Sequence, residues 1–199
     1  MRVFRSIPEY RAWRSELPAD EKLGFVPTMG FLHEGHISLV KKSVEQCQKT
    51  VVSIFVNPVQ FNNKEDLEKY PRNEEADLAL LEKASCDAVF IPSVKEMYPT
   101  EIKESYSFPG LDDVMEGAFR PGHFNGVAIV VARLFNIIQP DISYFGKKDY
   151  QQYMIIKELS KKNFPQIQIV GLETVRENDG LAMSSRNVRL SANMREDAD

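Results

Sequence analysis

Residues 23–48 read LGFVPTMGFLHEGHISLVKKSVEQCQ, and they place a strand, a glycine-containing turn and a helix in direct succession. The apolar run 23–28 predicts a buried strand because it is short and continuous. In 36–48, apolar residues recur at the spacing of one helix face: Ile37, Val40, Val44 and Cys47. A buried strand that leads through a short turn into an amphipathic helix indicates the first unit of an α/β fold.

The same alternation continues along the rest of the chain. Further strands are predicted at 50–57 (TVVSIFVN), 87–92, 141–146 and 166–175. Further helices are predicted at 73–85, 124–139 and 148–163. This repetition predicts an α/β fold with a Rossmann-like, doubly wound parallel sheet and helices on both faces. Residues 93–122 interrupt the pattern and predict loops or a small hairpin.

The overall composition narrows the classes of function. The chain has 199 residues, is 43% hydrophobic and carries a formal net charge of -4. It can therefore bury a sizeable core, and its acidic balance disfavours binding to nucleic acid or to an anionic membrane. No apolar run approaches the ~20 residues of a membrane span, and the N-terminus lacks the apolar segment of a secretion signal. Cys47 and Cys86 have no metal or redox spacing, which favours packed thiols in the cytoplasm.

Polar loop segments follow four of the predicted strands. They read MGFLHEGH (29–36), NPVQF (57–61), GKKD (146–149) and RENDGLAMSSRN (176–187). Ligands of open α/β sheets bind beyond the carboxyl ends of the strands, where such loops meet. The sequence therefore predicts one ligand site built from these four segments.

The first of these segments contains HEGH, and its two histidines, His33 and His36, have three possible interpretations. Zinc is disfavoured, because H-E-x-x-H needs a wider spacing and the neighbours of His123 show no ligand pattern. A capping turn shaped by Gly30 and Gly35 is the structural alternative. The third interpretation is phosphate binding, in which His36 opens a helix whose free N–H groups attract anions. The imidazoles would then donate hydrogen bonds to a phosphate chain as charge builds on it.

The pattern H-x-G-H after a first strand resembles the nucleotide signature of the adenylyl-transferring superfamily that includes class I aminoacyl-tRNA synthetases. Members usually carry a KMSKS-like loop late in the fold. AMSSRN (182–187) is similar to that loop, with Ser184 and Ser185 as hydroxyl donors and Arg186 as a phosphate clamp. SSRN alone is typical of a solvated loop or a helix cap, but its pairing with HEGH favours nucleotide chemistry.

Longer motifs resemble the pantoate–β-alanine ligase family more specifically. In chain order they are VPTMGFLHEGH, VVSIFVNPVQF, YPR, RPGHFNGV, FGKKDYQQ and DGLAMSSRN, and they span about Phe25 to Leu190. The resemblance implies a nucleotidylyltransferase-type fold and a reaction in two steps. ATP adenylates the carboxylate of (R)-pantoate with loss of pyrophosphate, and the amine of β-alanine then displaces AMP to give pantothenate.

The resemblance also implies roles for individual residues. The implied ATP-binding residues are Met29, Gly30, Phe31, Leu32, His33, Glu34, Gly35, His36, Gly146, Lys147, Lys148, Asp149, Val175, Met183, Ser184, Ser185 and Arg186. The implied catalytic residues among them are His33, His36, Lys148 and Arg186. Gln60 and Gln152 fall where the family holds pantoate, and neutral amides can bind its hydroxyls and carboxylate without a strong ion pair. The structural alternatives are a surface loop position for Gln60 and an exposed helix position for Gln152.

The ligands implied by the resemblance are pantoate, β-alanine and ATP with its accompanying Mg²⁺, and no metal site is predicted in the protein itself. It further implies a homodimer in the cytoplasm, without a nucleic-acid or membrane partner. Residues 1–188 are expected to form a nucleotide- and pantoate-binding domain. Residues 189–199 are expected to begin a linker to a second domain that is absent from this chain.

Two alternatives to this function stay open. One is another HxGH nucleotidylyltransferase, such as a phosphopantetheine adenylyltransferase, which would not be expected to carry FVNPVQF and DYQQ. The other is a non-catalytic nucleotide-binding module, which has no need for two histidines at phosphate. Phe31 and Lys147 depart from the family pattern, in which a small residue and a Glu are common, but neither position carries chemistry there.

Overall fold

The computed structural model describes residues 1–198, which form a six-stranded sheet covered by helices. The strands are β1 (Arg2–Phe4), β2 (Leu23–Thr28), β3 (Lys49–Ile54), β4 (Ala88–Phe90), β5 (Ile142–Gly146) and β6 (Gln168–Leu172). The helices are α1 (Ile7–Ser15), α2 (Glu34–Gln46), α3 (Lys64–Glu68), α4 (Glu74–Lys83), α5 (Val94–Met97), α6 (Met115–Phe119), α7 (His123–Ile138), α8 (Tyr150–Asn163) and α9 (Ala192–Glu196). Short 3₁₀ turns lie at Pro58–Gln60, Lys147–Asp149 and Asn187–Arg189.

All strand pairs in the sheet are parallel, and the strand order is β1-β4-β3-β2-β5-β6. The central strand β2 pairs on one side with β3 and on the other with β5, so that Phe25 lies between Val51 and Ser143. From β2 the chain winds outward through β3 and β4, and it then returns to wind the other way through β5 and β6. The prediction of a doubly wound parallel sheet is therefore confirmed, and its direction of winding reverses between β2 and β5.

Residues of the central strands alternate between two hydrophobic cores. Phe25 and Val51 face the core under α1, α7 and α8, whereas Val26 and Val52 face the core under α2 and α4. All four side chains are fully buried. A parallel sheet that is buried on both faces has no solvent side, and this explains why β2 and β3 read as continuous apolar runs.

The N-terminal strand and helix, β1 and α1, are absent from the sequence-based prediction, which gives five strands rather than six. Strand β1 is three residues long and lies at the sheet edge beside β4. In α1 only Tyr10 and Trp13 are buried, and the hydroxyl of Tyr10 donates to the Ile138 carbonyl at 2.9 Å. Two core residues in a short helix give too weak a periodic signal to be recognised from sequence.

The segment 93–122 forms loops and two short helices, α5 and α6, and the hairpin alternative is wrong for it. Side chains of neighbouring helices hold the segment. Arg133 of α7 donates to the Met97 carbonyl at 2.6 Å, and Gln151 of α8 donates to the Leu111 carbonyl at 2.6 Å. None of the helices within residues 1–198 has the length and hydropathy needed to cross a membrane.

Candidate active site

A crevice lies at the carboxyl ends of β2 and β5, where the winding of the sheet reverses. It contains about 1270 Å³ of space between atoms, part of which is open to solvent. All four polar loop segments reach it, so the structure brings together most of the residues singled out by sequence. These are Met29, His33, Gly35, His36, Gln60, Gly146, Lys148, Asp149, Gln152, Val175, Met183, Ser184, Ser185 and Arg186.

The other implied ATP-binding residues do not line this crevice: Gly30, Phe31, Leu32, Glu34 and Lys147. Lys147 points to the surface instead, where its ammonium group pairs with Glu173. Gly30 to Leu32 form the turn that precedes the histidines. Any ATP contact of these five residues stays a prediction.

The histidine turn begins α2 earlier than the sequence predicts. The helix starts at Glu34 rather than at His36, and His33 is the residue that precedes it. The Nδ1 atom of His33 accepts the N–H of Gly35 at 3.1 Å, and the Nδ1 atom of His36 accepts the N–H of His33 at 3.3 Å. The two imidazoles thus take the places of the usual Ser/Thr and Glu of a capping box. The capping alternative and a ligand role are compatible, because capping occupies only one nitrogen of each ring.

Both imidazoles are set up as neutral hydrogen-bond donors. Because each Nδ1 accepts a backbone N–H, the proton of each neutral ring sits on Nε2. Burial, together with His33 and Lys148, lowers the pKa of His36 to about 3. Burial and then Lys148 also lower the pKa of His33, against weaker opposing effects of nearby carboxylates. In the absence of a bound anion, the pair therefore presents N–H dipoles without a net charge near neutral pH.

A buried carboxylate supports the turn before the histidines. Gly30 and Phe31 both have left-handed backbone conformations, with φ values of 80° and 52°. For a phenylalanine this conformation is strained. Asp77 of α4 is 2% exposed and holds the turn by accepting the N–H groups of Phe31 at 2.8 Å and Leu32 at 2.7 Å. Burial raises the pKa of Asp77, and the hydrogen bonds from Leu32 and Phe31 oppose that rise.

Asp77 was not among the residues singled out by sequence. It lies four residues before Leu81, which is fully buried on the same helix face. An acid on the buried face of an amphipathic helix was the available signal, because buried carboxylates are paired or hydrogen-bonded.

The Gln60 side chain is fixed by its neighbours. It is 8% exposed, which excludes the surface loop interpretation. Its Oε1 atom accepts the amide of Asn57 at 3.1 Å, and its Nε2 atom lies 3.3 Å from the Met29 sulfur. Asn57 is 1% exposed and in turn accepts the hydroxyl of Tyr98 at 2.7 Å. Asn57 therefore orients Gln60, a role that its place in the polar segment 57–61 does not reveal because it depends on the contacts with Gln60 and Tyr98.

The first turn of α7 closes on the Gln60 backbone. The Nδ1 atom of His123 lies 2.8 Å from the Gln60 carbonyl, and this contact requires the proton on Nδ1. A Cβ atom on Gly126 would lie 2.7 Å from the Val59 carbonyl oxygen and 2.8 Å from the Gln60 Cα, so only glycine permits this approach. Further along α7, Val127, Val130, Val131 and Leu134 give the crevice an apolar wall.

Gln152 lies in the first turn of α8 and also lines the crevice. Its side chain is partly exposed, and no other group in residues 1–198 hydrogen-bonds to its amide. Gln152 is thus available to a ligand, in contrast to its neighbour Gln151, which anchors the 111–114 loop.

The segment 183–189 closes one side of the crevice through three contacts. The hydroxyl of Ser185 donates to the Phe31 carbonyl at 3.1 Å, which joins this segment to the strained turn. Arg186 forms an ion pair with Asp66 of α3 at 2.8 Å, and its guanidinium lies over the Tyr70 ring at 5.6 Å from the centroid. Ser184 and Ser185 both line the crevice, and the Ser184 hydroxyl accepts the backbone N–H of Arg186 at 3.2 Å.

Lys148 supplies a second cation to the crevice, and its ammonium group lies 2.8 Å from the Asp149 carboxylate. No group of three His, Cys, Asp or Glu side chains within residues 1–198 is placed to hold a metal ion. The crevice thus joins a region of N–H donors and cations to a region of amides and apolar side chains. Such a site can bind a polyanion next to a small polar molecule that has an apolar face.

Comparison with known proteins identifies the family. The family described as "Pantoate-beta-alanine ligase" matches residues 2–199. The pantothenate synthetase of Bacteroides thetaiotaomicron is 54% identical over 199 residues, which are 100% of this chain and 71% of that protein. The pantothenate synthetase of Chloroflexus aurantiacus is 53% identical over 196 residues, which are 98% of this chain and 68% of that protein.

Solved structures agree with the sequence comparison. The pantothenate synthetase of Thermus thermophilus has a TM-score of 0.93 at 48% identity, covering 100% of this chain and 71% of that chain. The pantoate–β-alanine ligase of Francisella tularensis, crystallised with βγ-ATP and β-alanine, has a TM-score of 0.96 at 41% identity, covering 98% of this chain and 76% of that one. Motifs, fold and both comparisons agree, and the chain belongs to the pantoate–β-alanine ligase family.

Proposed function

We propose that the crevice adenylates pantoate and then presents the pantoyl-adenylate to β-alanine. Proteins of the family are ATP-dependent ligases that join pantoate to β-alanine, and family membership gives the chain this overall activity. One observation supports the assignment to this crevice: it is lined both by two neutral imidazole donors and by the side-chain amides of Gln60 and Gln152. The Gln60 amide is held by a hydrogen bond from Asn57, whereas the Gln152 amide has no such bond within residues 1–198. These groups suit the two ligands of the first step, the phosphate chain of ATP and a small hydroxy acid.

The first step forms a bond between a carboxylate oxygen of pantoate and the α-phosphorus of ATP, and pyrophosphate leaves. Charge builds on the phosphate oxygens during this displacement. The Nε2–H groups of His33 and His36, with the cations of Lys148 and Arg186, are the donors we assign to those oxygens. Fixed donors aimed at developing charge provide the largest part of many enzymatic rate enhancements.

The family resemblance implies that His36 is the catalytic acid of this step. A group whose pKa is about 3 is neutral at physiological pH and is a poor source of a transferable proton. We therefore assign His36 as a neutral hydrogen-bond donor rather than an imidazolium acid. The hydrogen bonds from the neutral rings strengthen as the phosphate oxygens gain charge, since an ionised acceptor binds a donor more strongly.

Pantoate is assigned to the amide side of the crevice. Gln60 is held in one orientation by Asn57, while the amide of Gln152 has no protein partner within residues 1–198. The apolar wall of α7 suits the two methyl groups that pantoate carries on one carbon. Neutral amides leave the carboxylate nucleophilic, since a close cation would stabilise its charge and lower its reactivity. In the second step, the β-alanine amine attacks the acyl carbon, the bond to AMP breaks and the nitrogen loses a proton.

Further parts of the proposal rest on the family resemblance. Mg²⁺ enters with ATP as part of the substrate, held mainly by phosphate oxygens, as is usual for this ion. We propose a cytoplasmic homodimer, and the two free thiols, Cys47 and Cys86, are compatible with a reducing compartment. Residues 1–188 are proposed as the nucleotide- and pantoate-binding domain and 189–199 as the start of a linker, whose Arg189 and Arg195 pair with Asp66 and Glu177 of that domain.

The test is exchange of labelled pyrophosphate into ATP in the absence of β-alanine. Exchange should require pantoate, and His36→Ala should lower its rate by on the order of 10²–10³, as for loss of one transition-state donor. Exchange that is stimulated by 4′-phosphopantetheine and not by pantoate would favour the alternative nucleotidylyltransferase. ATP binding with no exchange under either condition would favour a non-catalytic module.

A further inference from the structure

Asp66 of α3 connects two segments of the crevice that lie far apart in the sequence. Its Oδ2 atom pairs with Arg186 at 2.8 Å, and its Oδ1 atom pairs with Arg189 at 3.0 Å. Arg189 also donates to the Lys69 carbonyl at 2.6 Å, at the end of the same helix. The hydrogen bond from Arg186 is the main reason that the pKa of Asp66 lies below its usual range.

The ion pair occupies only part of the Arg186 guanidinium. The Nη2 atom donates to Asp66, whereas Nη1 and Nε have no hydrogen-bond partner within residues 1–198. The Tyr70 ring, 5% exposed, lies beneath the guanidinium and lines the crevice together with it. A planar guanidinium held at one edge and on one face keeps its other donors in a fixed direction. In this arrangement, the side chain has already lost much of the rotamer freedom that a free arginine would lose on binding.

The charges of this cluster also favour a phosphate ligand. Asp66 carries one negative charge and contacts two arginines, so the three side chains together keep one positive charge. Arg189 offsets the repulsion that Asp66 alone would exert on an anion. The cluster therefore orients Arg186 without cancelling the attraction between the crevice and phosphate.

We infer that Asp66 is a positioning residue that holds the Arg186 guanidinium toward the phosphates of ATP. The inference rests on the proposed function, which assigns Arg186 to the phosphate chain. The inference gives α3 a role in binding ATP. The loop between β3 and α3 carries Gln60, which is assigned to pantoate instead. It also gives Arg189 a role as the charge partner of Asp66.

A competing role for Asp66 would change ATP binding in the opposite direction. If Asp66 merely competed with phosphate for Arg186, its removal would free a cation and strengthen ATP binding. If Asp66 positions Arg186, its removal leaves a mobile arginine and weakens ATP use. The sign of the change in KM for ATP therefore separates the two effects.

The test is a double-mutant cycle in the pantoate-dependent pyrophosphate exchange assay, using Asp66→Asn, Arg186→Ala and the double variant. We expect Asp66→Asn to raise the KM for ATP about three- to tenfold while the KM for pantoate changes less than twofold. In the Arg186→Ala background the same change should alter the KM for ATP by less than twofold. Asp66→Glu should restore part of the loss. Glu65→Gln is the matched control, because it removes an exposed ion pair from the same helix without touching Arg186.

Several outcomes would overturn the inference. One is a KM for ATP that is lower or unchanged in Asp66→Asn. Another is a rise in the KM for ATP that is just as large when Asp66→Asn is made in the Arg186→Ala background. The third is a rise of the same size in Glu65→Gln. Should Asp66→Asn unfold the protein, the same cycle with Asp66→Glu and Arg186→Lys decides, and additive effects would reject the coupling. Normal exchange in Arg186→Ala would instead reject the proposed role of Arg186 itself, which distinguishes failure of the proposed function from failure of this inference.

Discussion

At the scale of single residues, the site depends on polar groups whose state is set by burial and by one hydrogen bond each. The Nδ1 contacts of His33 and His36 determine where the ring protons lie, and the contact from Asn57 determines which way the Gln60 amide points. The histidines and glutamines were predictable as site residues, because their motifs are specific. Their tautomers and orientations were not, because these depend on partners elsewhere in the fold.

The low pKa of His36 predicts a pH dependence of stability. A histidine that resists protonation when folded but titrates near 6.5 when unfolded destabilises the native state as the pH falls below 6.5. Between pH 7 and pH 5, the free energy of unfolding should fall by up to about 2 kcal/mol more in the original protein than in His36→Gln. Urea unfolding of both proteins at the two pH values measures this difference. Equal losses in the two proteins would show that His36 is not held neutral.

The assignment of ligands to the two sides of the crevice predicts a separation of binding effects. Gln60→Ala should weaken pantoate binding by about tenfold and leave ATP affinity unchanged, because it removes hydrogen bonds to one ligand. Lys148→Ala should weaken ATP binding and spare pantoate. Calorimetric titration of each variant with each ligand measures both effects. Loss of ATP affinity in Gln60→Ala would contradict the assignment.

At the scale of secondary-structure elements, the strand ends were predictable and the contacts between their loops were not. The order of polar segments after β2, β3, β5 and β6 correctly indicated that they meet at one crevice. The predicted start of α2 was wrong by two residues, because a histidine at the N-cap is not a recognised helix-start signal as Ser or Asp is. Asp77 and Asp66 escaped notice because each acts on a segment that is distant in the sequence.

The contact between α4 and the histidine turn gives a prediction at this scale. Asp77→Asn keeps the size of the side chain but sets an NH₂ group against one of two backbone N–H groups. It should lower the free energy of unfolding by about 1–3 kcal/mol and slow pyrophosphate exchange, since the strained Phe31 turn loses a partner. Chemical denaturation and the exchange assay measure the two effects. Glu75→Gln, on the exposed face of the same helix, should change neither, and an unaltered Asp77→Asn protein would contradict this account.

At the scale of the whole molecule, the fold was predictable where apolar runs are long and was missed where they are short. Strands β2 and β3 and helix α7 are buried along most of their length, and each is therefore a recognisable apolar run in the sequence. Strand β1 has three residues and none of them is fully buried, so it carries no such signal. The repeated strand–helix units predicted a doubly wound sheet as a class of fold. They did not predict that the winding reverses between β2 and β5, because sequence alone does not order the strands.

The central claim is that the crevice transfers AMP to the carboxylate of pantoate, and transfer of oxygen tests it most directly. Pantoate labelled with ¹⁸O in its carboxylate is incubated with ATP, β-alanine and the 199-residue chain. The account predicts that AMP carries one ¹⁸O atom and that pantothenate loses one, because the attacking oxygen stays on phosphorus when the amine displaces AMP. Unlabelled AMP, or ADP formed together with labelled phosphate, would contradict it.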